Sequence, residues 1–427
     1  PPLDRDDFKR DGILIPVSAP DQNRLGSLKQ DYDDSIFRFS DQLHNFAHSV
    51  QQVVKQYPVR GFYSGASVVD GVKQLVWQAP LTDASGETKP KIIFLFGGRD
   101  TFDSNTVPVL IKEEPEFRKH FFYCIDQLER IGLAGHDSPI TTENLRRGDA
   151  TNATALSLFC AQYATYLMWR SWGVQPDGLF GVSLGEFVVA TISEVLSLDD
   201  ALRAVAFADS LSANFPAGKT VAVGCGAEHL KSRLPEHVYL SVSASANQSL
   251  LSGDETQVNC FCETLRAEGL AIHEAGADAP FHTPLMTQWV DQLVQVLDGV
   301  TLNNPKIPYI SCATGAAALD SDVTSVSHYR KLFECESQIR AGLESLSATI
   351  SPEDTIFLEN GIGASISSFV QQSDSLKNAL AVLSTTPNAW ALDSSARSNR
   401  VVEHLYKTIG SAWQRGASFD FTAFSAM

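Results

Sequence analysis

The sequence predicts an α/β fold: a hydrolase-like core on a parallel sheet, an inserted ferredoxin-like α+β subdomain, and a small α/β linker domain ahead of both. Three observations carry that expectation. Apolar runs ending in glycine alternate with stretches of helical spacing, as buried parallel strands alternate with covering helices. The run Gly178-Leu179-Phe180 passes directly into Gly181-Val182-Ser183-Leu184-Gly185-Glu186 and then into helical spacing over 187–196. From about residue 212 to 274 the texture changes to short strands between short helices, which reads as an insertion.

Residues 1 to about 90 form the small unit. Residues 13–19 (ILIPVSA) read as a strand, 22–37 as a helix with Asp21 placed to cap it, 40–55 as a second helix and 60–63 as a strand. Residues 83–90 are polar with Gly and Pro, a natural linker. The core opens with a strand over 91–96 that ends in Gly97-Gly98-Arg99-Asp100; such turns lie at the carboxyl edge of a parallel sheet, where ligands bind. Helices are expected over 114–131 and 151–172, the second feeding the Ser183 strand. The insertion carries strands at 220–223, 238–242 and 250–253, with helices near 228–234 and 255–268. The core resumes at His282 with a helix over 284–297, a strand at 308–311, one helix near 330–346, a strand at 355–358 and the Gly361-Ile362-Gly363 turn. A strand at 380–383 precedes a tail with a helix over 397–415. The resulting divisions are 1–90, 91–211, 212–275, 276–383 and 384–427.

Composition narrows the function. A chain of 427 residues fits two or three domains. With 33 basic and 50 acidic residues its net charge is −17, which argues against nucleic acid or an anionic membrane surface as partner. The seven cysteines are scattered without metal-ligand spacing, as expected of reduced thiols in a cytoplasmic protein. No signal peptide is visible, and the long uncharged run over 151–169 is interrupted by Asn152, Ser157 and Gln162, which fits a buried helix better than a membrane span. The chain opens Pro1-Pro2 with no Met and reads as a fragment of a larger polypeptide.

The chemistry centres on Ser183. Glycines at i−2 and i+2 permit a tight turn that aims the hydroxyl outward at a helix N-terminus, where backbone N–H groups can hold a developing oxyanion. The plainer reading is a strand-to-helix turn with a capping serine. A serine hydroxyl needs a base, and His282, in a loop just before a helix, is the candidate among ten histidines.

Taken together, residues 169–177, the Ser183 hexapeptide, 196–203, Phe281-His282-Thr283-Pro284-Leu285-Met286 and Glu359-Asn360-Gly361-Ile362-Gly363 resemble the acyltransferase domain of modular polyketide synthases and the malonyl-CoA:acyl-carrier-protein transacylases. The separation 282 − 183 = 99 leaves room for the insertion. The resemblance implies that 1–90 is a linker from a neighbouring ketosynthase and 384–427 a linker after the acyltransferase. It implies attack by Ser183 on an acyl thioester, with His282 as base, and transfer of the acyl group to the phosphopantetheine thiol of an acyl carrier protein. Acyl-CoA would be the donor, with no permanently bound cofactor and no metal. The oxyanion donors would be the N–H groups of Leu184 and Arg99, and Gln338 falls near the position whose carbonyl orients the histidine.

Departures from the pattern bear on the cargo. The arginine that clamps a malonyl carboxylate falls at Ala208, with Asp209 beside it; losing a bidentate arginine removes roughly 2 to 4 kcal/mol of carboxylate recognition. Arg99 stands where the family has glutamine: it either pairs with Asp100 on the loop or enters the pocket and replaces the missing clamp. Val182 replaces the usual histidine and Ser245 a common asparagine, while Phe281 resembles the malonyl-selective motif and narrows the space for an α-branch. Val182 and Ser245 change the polar lining, whereas Phe281 combined with Ala208 points to an unbranched, uncharged starter-type acyl group. The alternatives are a malonyl-type transferase using Arg99, an editing hydrolase that releases acyl chains to water, and a non-catalytic docking domain.

Overall fold

Apolar runs set the framework. In the computed structural model, which describes residues 10–65, 68–69, 72–73, 75–81, 89–99, 105–133, 155–275, 279–388 and 397–426, the run ILIPVSA forms β1 (Ile13–Ala19), buried throughout. Asp21 caps α1 (Gln22–Arg38) by accepting the Arg24 N–H at 2.8 Å. A short 3-10 turn (Ser40–Gln42) and α2 (Leu43–Val53) follow. β2 (Val59–Gly65) pairs antiparallel with β1, and β3 (Val76–Gln78) with β2. Residues 82–88 of the expected linker lie outside the described residues.

The core begins at β4 (Lys91–Phe96), followed by α3 (Thr106–Glu113), α4 (Pro115–Arg130) and α5 (Ala155–Ser171). The expected start of α5 at 151 is outside the described residues. Buried on nearly every side, α5 is apolar with little helical periodicity, as a fully enclosed helix should be. β5 (Gly178–Gly181), α6 (Gly185–Ile192) and α7 (Leu198–Ser210) complete this half.

The insertion then runs β6 (Lys219–Val223), α8 (Ala227–Leu230), β7 (Val238–Ser245), β8 (Gln248–Gly253), α9 (Glu255–Ala267) and β9 (Ile272–Glu274). Its spatial order, β9-β6-β8-β7, is antiparallel throughout, the ferredoxin-like arrangement. It has its own apolar core, including Val221, Leu230, Leu251, Val258 and Leu265.

After it come α10 (Thr287–Leu297), β10 (Tyr309–Ser311), β11 (Ala316–Ala317), α11 (Val326–Glu334), α12 (Ile339–Ser347), β12 (Thr355–Glu359), α13 (Ser365–Gln372) and β13 (Ala381–Ser384). The main sheet has the order β11-β10-β5-β4-β12-β13 and is parallel except for the edge hairpin β10–β11. The single helix expected near 330–346 is two helices. Between them Ser337 donates its N–H to Ser241 at 2.8 Å and accepts that of Ser243 at 3.0 Å, so the segment leaves helical geometry to join the edge of β7.

The tail forms α14 (Arg397–Gln414) and α15 (Phe421–Ser425). α14 lies against β2 so closely that a Cβ on Gly410 would be 2.4 Å from the Phe62 ring. Gln414 donates to the carbonyls of Arg60 (3.1 Å) and Ala79 (2.7 Å). Arg10 donates to the buried Glu114 carboxylate at 3.0 Å and to the Phe424 carbonyl at 2.6 Å, with its guanidinium over the Phe424 ring.

Candidate active site

β4 and β5 are neighbours, with Phe96 opposite Gly181, so the turns at their carboxyl ends lie side by side. After β5 the Val182 N–H donates to the Phe96 carbonyl at 2.9 Å, and Ser183 takes φ 54°, a left-handed conformation uncommon for non-glycine residues. A Cβ on Gly181 would lie 2.7 Å from the Glu186 Cα, and one on Gly185 2.2 Å from the Phe96 oxygen; the two glycines are required by that reversal. Leu184 stands at the N-terminus of α6, and its N–H has no acceptor among the described residues. A Cβ on Gly98 would lie 3.3 Å from that of Ser183, which places the first glycine turn against the serine. Arg99 is exposed. Its expected loop partner, Asp100, is outside the described residues.

His282 also takes a left-handed φ, 60°. Its N–H donates to the Phe333 carbonyl at 3.0 Å, and Thr283 caps the next turn by accepting the Leu285 N–H. The ring is buried and Nδ1 has no partner at hydrogen-bond geometry. Burial pushes its pKa from 6.5 down to about 4, against a smaller opposing effect of the Leu332 carbonyl, so the imidazole is neutral and able to accept a proton at pH 7.

Gln338 caps the start of α12. Its N–H donates to the Cys312 carbonyl at 2.7 Å and its own carbonyl accepts from Gly342 at 2.9 Å. The carbonyl beside the His282 ring is that of Leu332.

α11 ties both loops together. It holds His282 through Phe333, and its Tyr329 and Phe333 rings pack on Phe187, four residues beyond the serine, at 5.3 and 6.0 Å. His328 Nε2 lies 2.5 Å from Glu186 Oε1, both side chains buried. Cys312 Sγ accepts the Ser183 N–H at 3.3 Å and lies 3.6 Å from Glu186 Oε2. Sequence reasoning assigned no role to these three residues. A glutamate in a first helical turn ordinarily faces solvent as a dipole partner, and only its place in the hexapeptide marked Glu186 out.

The expected lining residues differ in their surroundings. Val182 and Ala208 are buried. Asp209, beside Ala208, accepts the Ala155 and Leu156 N–H groups at 2.8 Å each, so it anchors the start of α5. Phe281 is half-buried and edge-to-face with Phe215 at 5.1 Å. Ser245 ends β7, and its Oγ accepts the Asn247 N–H at 3.3 Å within the hairpin. Arg203 is exposed. Gln162, also unassigned by the sequence, donates to the Gly97 carbonyl at 2.9 Å. Among the described residues, no group of three or more His, Cys, Asp or Glu side chains is arranged to hold a metal, and no helix is long and apolar enough to cross a membrane.

A family model described as an acyl transferase domain matches residues 27–362. The chain belongs to the acyl transferase domain family. Mycoketide-CoA synthase of Mycobacterium tuberculosis is 30% identical over 249 residues, which cover 56% of this acyl transferase domain and 6% of the synthase. A non-reducing polyketide synthase of Gibberella zeae is 25% identical over 379 residues, 86% of this domain and 18% of that protein. The chain thus spans a small part of the length of these relatives. The solved acyl transferase domain of ZmaA superposes with a TM-score of 0.80 at 21% identity, covering 97% of each chain, and so shares the fold.

Proposed function

We propose that this acyl transferase domain moves an acyl group from acyl-CoA, or from an acyl carrier protein, through an ester on Ser183 to the phosphopantetheine thiol of an acyl carrier protein within a polyketide synthase. The observation that carries the proposal is the pair of strained loops, Ser183 at φ 54° and His282 at φ 60°, anchored on one helix with a neutral imidazole. His282 takes the Ser183 proton as Oγ attacks the thioester carbonyl. The oxyanion is met by the N–H groups of Leu184 and Arg99. The departing CoA thiolate takes the proton back from His282. In the second half the phosphopantetheine thiol gives its proton to His282, attacks the ester and returns Ser183 to its hydroxyl form. No group beyond donor and acceptor is consumed.

The cargo we assign is an unbranched, uncharged acyl group. Ala208 offers no guanidinium, Arg203 and Arg99 are exposed, and Asp209 is engaged at the start of α5. Phe281, backed by Phe215, narrows the space for an α-branch. Residues before 91 and after 383 serve as linkers, the first towards a neighbouring ketosynthase. Incubation with a panel of acyl-CoAs and intact-mass measurement tests this reading. A covalent acyl adduct on the wild type and none on Ser183→Ala is the expected result. Preference for malonyl would overturn the choice of cargo, and release to water in the presence of carrier protein would overturn the acceptor.

A further inference from the structure

We infer that Glu186, His328 and Cys312 form a buried positioning chain that holds Ser183 in register with the helix carrying His282, and so set the reactivity of the serine rather than the affinity for the acyl donor. This rests on reading Ser183 as nucleophile and His282 as its base.

The chain is continuous. Ser183 N–H donates to Cys312 Sγ at 3.3 Å. Burial, and next the nearby Glu186, push the Cys312 thiol up, so it stays protonated and its S–H can donate to Glu186 Oε2 at 3.6 Å. Glu186 Oε1 meets His328 Nε2 at 2.5 Å, although the two residues are 142 apart in sequence. The side chains of Glu186 and His328 are 0% and 2% exposed. At its far end, His328 belongs to α11, whose Phe333 carbonyl holds the His282 N–H.

A buried charged or polar pair is not the most economical way to stabilise a core, since apolar side chains of similar volume serve as well. What it adds is direction. The left-handed backbone of Ser183 persists only where its surroundings over-determine it, and this chain fixes the backbone nitrogen of Ser183 to the element that also fixes the base.

Phosphonylation of Ser183 by a small alkyl fluorophosphonate tests the inference. Oγ displaces fluoride while His282 takes the proton, with no acyl donor or carrier to be recognised. Labelling is followed by intact mass and mapped to Ser183 in the wild type, Glu186→Gln, His328→Gln, the double variant and Cys312→Ala. Ile409→Ala in α14 serves as a remote control for lost stability. Well below its Tm, each Glu186 or His328 single variant should lose about tenfold or more in maximal labelling rate, with the half-saturating concentration within about twofold of wild type. The double variant, whose two amides can bond to each other, should recover to within about threefold, and Cys312→Ala should lose about threefold to tenfold. Single variants that label no more slowly than Ile409→Ala, or a loss confined to the half-saturating concentration, would overturn the chain. Should the single variants not fold, wild-type labelling in Cys312→Ala overturns it by itself. Failure of the underlying reading looks different: the wild type would not label at Ser183, or His282→Gln would label as fast as wild type.

Discussion

The side-chain amide of Gln162 donates to the Gly97 carbonyl at 2.9 Å from inside the core, and this bond sets the turn that packs against Ser183. Gln162→Leu would leave a buried carbonyl unsatisfied, at a cost of about 1 to 3 kcal/mol. A lowered Tm together with about a tenfold slower formation of the acyl-Ser183 adduct is expected, because in the proposed mechanism the turn supplies an oxyanion donor. Quenched-flow acylation followed by mass spectrometry checks it.

Gly98 tests the same turn from the other side. An alanine Cβ there would sit 3.3 Å from the Ser183 Cβ and 3.6 Å from the Val182 oxygen, tighter than comfortable but away from the apolar core. Gly98→Ala should keep the wild-type Tm within a few degrees and lose about tenfold or more in acylation rate. An unchanged rate would show that the serine tolerates the crowding.

The pH dependence follows from His282. Its pKa is about 4 in the folded protein against 6.5 when unperturbed, so between those values the unfolded chain binds more protons and stability rises with pH. The contribution is complete above about pH 6.5 and falls as pH drops towards 4, by about 3 kcal/mol in all. Denaturant melts of wild type and His282→Gln across pH 4 to 7 should diverge in that sense. The acylation rate of the wild type should stay flat from neutral pH down to about pH 5, with its acid limb near 4. A limb near 6.5 would show that the imidazole is solvated during the reaction.

In the proposed reading Phe281 limits the width of the acyl group accepted. Phe281→Ala removes the edge-to-face contact with Phe215 at 5.1 Å, worth about 0.5 to 1.5 kcal/mol beyond burial. Measured as relative acylation rates, isobutyryl-CoA should gain about tenfold over acetyl-CoA. No change in that ratio would place the branch-excluding wall elsewhere.

Much of the framework was readable in the sequence because single physical signals mark it. The boundaries of β1 and β4 fall where apolar runs stop, and Asp21 caps α1 as its residue type suggests. The elbow was legible because its glycines are dictated by backbone clearances that any sequence must respect. The break between α11 and α12 was not legible: amphipathic spacing continues across it with no Gly or Pro in 335–338, and the cause is a strand edge almost a hundred residues upstream. Glu186, His328, Cys312 and Gln162 escaped notice because their roles rest on contacts between segments far apart in sequence.

The placement of α14 bears on engineering. Because this helix is clasped by β2 on one side, and because Arg10 reaches Glu114 and the Phe424 carbonyl, the flanks are packed on each other and on the core. A domain swap cut at residues 91 and 383 would strip a wall from both neighbours, whereas junctions placed outside 10–426 would transplant the module with its seams intact.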